Sequence, residues 1–187
     1  MYRRGEGVPQ SNVQAFVWYS KAAEKGLEDA QFVLGNMYFF GWGVEQDHAK
    51  ALEWYRKAAE KGVAEAQYNL ATMYAEGDGV SQDHVTALEW YRKAAEQGNE
   101  EAQVSIGVMY ADGEGVTQDY AQALVWFRKA AEQGNRKAQY NLGAMYRYGR
   151  GVAQDYEQAI IWFRKAAERG VVPAQQELDE LLSLQKK

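Results

Sequence analysis

The residues of this chain whose types and spacing could do chemistry are two histidines, five Gly-x-Gly pairs, many carboxylates and one run of large aromatics. His48 and His84 fill equivalent slots, taken elsewhere by Asn12, Tyr120 and Tyr156. A metal site needs three or four ligands converging on one point. Two side chains on stacked units ~8–10 Å apart, with no third ligand beside them, do not supply it. They read as solvated first-turn residues. The glycine pairs have part of a phosphate loop, whose backbone N–H groups face an anion at a helix start. Here Gln46, Gln82, Gln118 or Gln154 stands where a third glycine would be, no strand precedes, and an anion-repelling aspartate opens the next helix. The pairs therefore read as helix cap and turn. No Ser/His/acid set can be assembled, because the histidines sit only in those two slots. No catalytic residue, metal site or cofactor is expected, and no enzyme activity.

The aromatic run Phe39-Phe40-Gly41-Trp42 is different. Trp42 fills a slot that elsewhere holds Glu6, Asp78, Glu114 or Arg150, and a slot that tolerates charge faces solvent. Three large aromatics exposed together are an anchor for a partner protein or peptide. The competing reading packs them on a helix upstream of Met1 or on a second copy of the chain.

The elements that position these residues follow from repetition. Trp54-Tyr55-Arg56-Lys57-Ala58-Ala59-Glu60-Lys61-Gly62 recurs with a 36-residue period, from Trp18, Trp90, Trp126 and Trp162. A fixed period of that length means stacked supersecondary units. Each unit has two helices. Helix A starts near Leu27, Val63, Asn99 and Asn135; Ala30, Leu34, Met37 and Gly41 fall on one face. Its small slot, Gly35, Ala71, Gly107 and Gly143, predicts close approach of a neighbour. Gly41, Gly77, Gly113 and Gly149 end it in a left-handed cap. Helix B opens on Ser11, Asp47, Asp83, Asp119 or Asp155 as N-cap. Gln14, Gln122 and Gln158 are expected to close capping boxes; Lys50 and Thr86 are not. Ala51, Trp54, Tyr55, Ala58 and Ala59 form the expected buried face. Arg56-Lys57 and Glu60 are expected to pair along the outer face. Asp47 and its copies are explained as caps, Glu60 and its copies as outer-face partners.

This divides the chain into a partial repeat 1–26, full repeats 27–62, 63–98, 99–134 and 135–170, and a capping helix 171–187. Met1-Tyr2 precedes Gly5-Glu6-Gly7-Val8 as Met37-Tyr38 precedes its own glycine pair. The array is therefore expected to be cut from a longer one, with Trp18 and Tyr19 at an uncapped end prone to self-association. In the last helix Pro173 takes the first turn and Leu181-Leu182 replace Met-Tyr, as suits a cap with one solvated face. Apolar residues at 47% give enough core for an array, and a net charge of −5 argues against nucleic acid, which needs a basic stripe. There is no cysteine, so no disulfide and no thiolate chemistry. No window is long and apolar enough for a membrane span.

The joint pattern Ala-Gln-x-x-Leu-Gly-x-x-Tyr, Gly-x-Gly-Val-x-Gln-Asp and Ala-x-x-Trp-Tyr-x-Lys-Ala-Ala-Glu-x-Gly resembles the Sel-one-like repeat (SLR) family, relatives of the tetratricopeptide repeats, from Gly5 to Leu178. The resemblance implies an all-α fold, a right-handed α-solenoid of antiparallel helix pairs with a concave groove. It implies adaptor or scaffold work, often bacterial, in the cytoplasm or periplasm, and in some members immunity to secreted effectors. By the same analogy the variable stripe of helix A lines the groove: Asn36, Phe39 and Phe40 with Trp42, then Tyr68, Thr72 and Glu76, then Val108 and Asp112, then Tyr140 and Tyr148. Asn69 and Asn141 join the polar set. The expected partner is a protein or peptide, carrying lysine or arginine where the groove is acidic; the alternatives are an immunity protein and a structural spacer.

Overall fold

The computed structural model describes residues 11–184. All ten elements among the described residues are α-helices joined by tight turns, an α-solenoid of antiparallel helix pairs. The chain divides into two compact units, residues 1–97 and 98–187. Unit 1 holds α1 (Asn12–Glu24), α2 (Glu28–Phe40), α3 (His48–Glu60), α4 (Ala64–Glu76) and α5 (His84–Glu96). Unit 2 holds α6 (Glu100–Asp112), α7 (Tyr120–Gln133), α8 (Arg136–Tyr148), α9 (Tyr156–Glu168) and α10 (Val172–Leu184). Within each unit every helix packs on the next in sequence. The readings on Met1-Tyr2 and Gly5-Glu6-Gly7-Val8, and the last three residues of the capping helix expected over 171–187, lie outside the described residues.

The helix ends follow the local chemistry. Gly41, Gly77, Gly113 and Gly149 close α2, α4, α6 and α8 at φ between 65° and 79°, where a side chain is strained. Asp47 accepts the Lys50 backbone N–H at 2.9 Å, and Asp83, Asp119 and Asp155 accept the equivalent donors. Such a cap is worth ~1 kcal/mol. The donated Lys50 N–H holds the Asp47 carboxyl below its ordinary range; the Thr86 hydroxyl does so first for Asp83.

The capping boxes do not close at Gln122 and Gln158. The reciprocal donor is the backbone N–H of the N-cap, and that group is already used. Asp119 N–H donates to Tyr110 C=O at 2.8 Å and Asp155 N–H to Tyr146 C=O at 2.9 Å. Asp47 and Asp83 do the same to Tyr38 and Tyr74. The turn thus ties helix B to the last turn of helix A. The glutamine before each aspartate completes the tie: Gln46, Gln82, Gln118 and Gln154 donate to Phe39, Ala75, Ala111 and Arg147 C=O at 2.7–2.8 Å. These carbonyls would otherwise be orphans of the helix end.

In unit 1, Ala51, Leu52, Tyr55, Ala58, Ala59, Ala66, Leu70 and Met73 form one core cluster, and Ala23, Ala30 and Leu34 another. In unit 2 the clusters centre on Phe127 with Leu142, and on Phe163 with Leu178. The small slot of helix A receives a ring from the following helix B. A Cβ on Gly35 would sit 2.6 Å from the Tyr55 ring, and one on Gly143 would sit 2.7 Å from Phe163. The second glycine of a pair meets backbone instead: a Cβ on Gly151 would lie 2.3 Å from Tyr120 C=O.

Two expectations need correction. Trp54, Trp90, Trp126 and Trp162 are only half-buried, because an indole is too broad for the alanine-lined seam and stays at its edge. Lysine, not glutamate, covers them: Lys57 Nζ lies 3.9 Å from the Trp54 ring, Lys93 3.8 Å from Trp90 and Lys165 4.1 Å from Trp162. The expected Arg56 pair with Glu60 is likewise replaced, since Arg56 donates to Tyr74 Oη at 2.7 Å. A cation over an indole face outweighs a solvent-screened ion pair at this surface.

Candidate functional site

In unit 1 the end of α2 carries a graded set of rings. Phe39 is half-buried and stacks on His48, with centroids 4.7 Å apart and planes 7° apart. It also meets Tyr55 at 6.3 Å. Phe40 stands edge-on to Phe39 at 5.0 Å and stacks on Trp42 at 4.7 Å. Phe40 is 53% exposed and Trp42 37%, so the outer pair faces solvent while the inner ring fixes it. Each such ring contact is worth about 0.5–1.5 kcal/mol beyond buried area. The outer pair is therefore held in place by the inner ring.

His48 is not the solvated residue that its slot suggested. Besides Phe39, it has Gln46 Nε2 at 3.0 Å from its Nε2 and Asp78 Oδ1 at 3.7 Å from its Nδ1. The Gln46 amide donates to Phe39 C=O as well, so its second proton points at His48 Nε2. That assigns the imidazole proton of the neutral ring to Nδ1, facing Asp78.

Beside the rings a cleft of about 130 Å³ is lined by Phe39, Phe40, Tyr68, Asn69, Thr72 and Asp78. Its floor is hydrogen-bonded. Tyr55 Oη donates to Asn36 Oδ1 at 2.7 Å, which also accepts from Asn69 Nδ2 at 3.4 Å. Thr72 Oγ1 lies 3.0 Å from Tyr91 Oη and donates to Tyr68 C=O at 3.1 Å. Burial pushes the Tyr55 hydroxyl well above its ordinary pKa, so it stays a neutral donor. Glu76 is exposed at the end of α4, outside the cleft lining.

In unit 2 the same slots hold guanidinium groups. Arg147 takes the Phe39 slot, hydrogen-bonds Glu177 and reaches Glu180 at 3.0 Å, both on α10. Burial alone would lower its pKa, but the Glu180 hydrogen bond and the Glu177 charge outweigh burial and hold it above its ordinary value. Tyr148, 52% exposed, lies between Arg147 at 5.3 Å and Arg150 at 5.6 Å. Arg150 also lies 5.7 Å from the Tyr120 ring. A second cleft, about 190 Å³, is lined by Val108, Asp112, Tyr120, Asn141, Ala144 and Arg150, with Phe127 below. Tyr140 lies outside it and packs on Phe163 at 5.7 Å. Burial, then the Glu177 charge, raises the pKa of the Tyr140 hydroxyl.

Of the residues expected on the groove, unit 1 gathers Phe39, Phe40, Tyr68 and Thr72 round one cleft, with Asn36 tied beneath and Trp42 stacked beside. Unit 2 gathers Val108 and Asp112 round another, with Tyr148 outside the lining but beside Arg150. Asp78, Tyr120 and Arg150 line these clefts as well, though they are not among the residues expected there. Their signal was present: Asp78 and Arg150 share the variable slot of Trp42. Among the described residues no three His, Asp or Glu side chains group as metal ligands, and no helix is long and apolar enough to cross a membrane.

A family model described as the Sel1 repeat matches residues 1–27, 28–63, 64–99, 100–135 and 136–171. Among solved structures the chain is similar to a protective antigen of uropathogenic Escherichia coli displaying an SLR fold. The identity is 46% and the TM-score 0.95, over 98% of this chain and 39% of that one. It is similar to a Sel1 repeat protein of Oxalobacter formigenes, at 37% identity and TM-score 0.89, over 95% of this chain and 70% of that one. It is also similar to an immunity protein of Pseudomonas aeruginosa, at 28% identity and TM-score 0.56, over 92% of this chain and 66% of that one. The chain thus spans 39% of the length of the Escherichia coli antigen. No curated protein sequence matches it.

Proposed function

The chain belongs to the Sel1 repeat family, and from that premise we propose that it is a non-enzymatic interaction module that holds a peptide or a segment of a partner protein against its A helices. Repeats of this family mediate protein interactions. The observation that carries the reading is the exposed Phe40–Trp42 stack beside the unit 1 cleft. An apolar anchor rigid before binding loses little entropy on binding. Glu76 at the helix end and Asp78 on the cleft favour a partner segment with lysine or arginine next to an apolar side chain. The test is the double substitution Phe40→Ala and Trp42→Ala, with binding measured to proteins captured by the wild type. Affinity should fall at least about tenfold, as for hot-spot residues. Unchanged affinity with intact helicity would sink the anchor.

A second reading, an immunity or inhibitor protein that neutralises a bacterial effector, draws support from the likeness to the Pseudomonas aeruginosa immunity protein. It expects one toxic partner, bound one to one, whose toxicity co-expression removes. Trp18 adds a self-association face: it is 57% exposed, whereas Trp54 packs on the Ala23, Ala30 and Leu34 cluster. Trp18→Ala should then lower the mean mass of concentrated samples in sedimentation; a monomer at all concentrations removes that face.

A further inference from the structure

We propose that Arg150, with Tyr120 and Tyr148, is a docking point for a carboxylate-bearing peptide segment, and that the apolar side chain next to that carboxylate enters the unit 2 cleft. The proposal rests on the reading above that the A helices receive a peptide, and it assigns the ligand chemistry of one place on them.

Four observations carry it. First, Arg150 is oriented but uncompensated. Its guanidinium faces two tyrosine rings, at 5.6 and 5.7 Å, and among the described residues it has no ion pair. A guanidinium without an ion pair keeps its planar fork of N–H donors, the geometry that fits a carboxylate. Second, the neighbouring cation does not share this state. Arg147 is taken up by Glu177 and Glu180, so it fixes Tyr148 and does not compete for an incoming anion. Third, Asn141 is half-buried on the same cleft, and its amide has no hydrogen-bond partner among the described residues. Its counterpart in unit 1, Asn69, is engaged with Asn36. A free amide beside a cleft offers one donor and one acceptor, the pair that an extended peptide backbone requires. Fourth, the part of the lining formed by Val108, Ala144 and Phe127 is apolar. Val108, Ala144 and Phe127 meet without a hydroxyl, where unit 1 has Tyr55 with Asn36 and Tyr91 with Thr72.

Asp112 also lines the cleft, and it sets the direction. It repels a carboxylate at its own side and accepts a backbone N–H. The ligand carboxylate is therefore confined to the Arg150 side. An acidic residue flanked by leucines meets all these demands. A basic segment, the occupant favoured at unit 1, would place its charge on Arg150.

The test uses the whole chain labelled with nitrogen-15 and two probe peptides. One is acetyl-Ala-Leu-Glu-Leu-Glu-Ala-amide; in the other both glutamates are glutamine. The glutamate peptide should give saturable shifts at the Arg150 and Asn141 side-chain signals. Binding should weaken about tenfold with the glutamine peptide and with Arg150→Gln, and should weaken as salt rises. Asn141→Ala should weaken both peptides alike, since it acts on the backbone. Equal binding of the two peptides, indifference to Arg150→Gln, or no saturable shift up to about 10 mM peptide overturns the proposal. The Phe40→Ala, Trp42→Ala variant should bind the glutamate peptide as the wild type does. If it loses that binding the peptide sits at unit 1 and this assignment fails. If captured partners ignore that variant while the glutamate peptide still moves Arg150, the unit 1 anchor fails and this site stands.

Discussion

Phe39 in unit 1 and Arg147 in unit 2 occupy the same slot, three repeats apart, and fill it by opposite means. Phe39 stacks on His48 and leans on Tyr55; Arg147 runs to two carboxylates on α10. The slots that follow diverge in step. Phe40 and Trp42 make an apolar stack, while Tyr148 and Arg150 make a cationic one. The floors diverge too. Buried Tyr55 and Tyr91 have a polar partner at positions 36 and 72; buried Phe127 and Phe163 have Val108 and Ala144 there. Each unit is self-consistent, with a hydroxyl and its partner present together or absent together. The difference teaches that the frame specifies only that the space be filled and its polar atoms satisfied. The chemistry of the filling is left open, and the two units differ there.

The comparison breaks most severely if the filling is exchanged. Phe39→Arg places a guanidinium against His48 and Tyr55, removes the stack and offers only Asp78 as counter-charge. A loss of about 3 kcal/mol is expected by urea denaturation. Arg147→Phe leaves Glu177 and Glu180 near solvent without their cation but keeps an apolar filler, for about 1–2 kcal/mol. Equal losses would mean the slot does not discriminate. Next come the floors. Phe127→Tyr buries a hydroxyl against Val108 and should cost about 2 kcal/mol, of which Val108→Thr in the same chain recovers at least half. Tyr55→Phe removes one donor from Asn36, which keeps Asn69, and should cost about 1 kcal/mol. Denaturation midpoints of the five variants form the check; failure of the Val108→Thr rescue refutes the pairing.

The smallest effect sharpens a likeness between the units. Gln67 Oε1 accepts from Gln97 and Gln103 Oε1 from Gln133, at 2.8 Å each. Gln31 and Gln139 are equally buried, and their Oε1 atoms have no partner among the described residues. The slot that supplies the donor holds Lys61 and Arg169 in those copies, and Lys61 goes to Gly26 C=O instead. Lys61→Gln and Arg169→Gln should each stabilise by up to about 1 kcal/mol. A fall in thermal midpoint for both would show that water already serves these oxygens.

The period, the caps and the small slot were legible from residue types, because each is a local demand of the backbone: an αL glycine, an N-cap aspartate, a position with no room for a Cβ. The open capping boxes are not legible from residue types, because the competing acceptor, Tyr110 or Tyr146 C=O, comes from the preceding helix and leaves no local trace. Trp54 was placed in the core on its hydrophobicity, while its width and the lysine one turn on keep it at the edge. Of the candidate site, the aromatic run was legible because it breaks the repetition. The role of Asp78, Tyr120 and Arg150 was not, since it depends on a residue in one repeat meeting the helix start of the one before. His48 with Asp78 and Tyr120 with Arg150 are both such meetings.

The turn between the two glycines has a consequence for how this surface changes over generations. Its backbone is held from outside the variable position, by Asp N–H on tyrosine C=O and by glutamine on the last helical carbonyls. Tryptophan, aspartate, glutamate and arginine therefore all sit there without disturbing the joint. A mutation at that one codon changes the exposed side chain and leaves these hydrogen bonds of the joint in place. Duplication of a repeat copies the joint and adds one more such open position, so the surface can vary in single steps while the frame is kept.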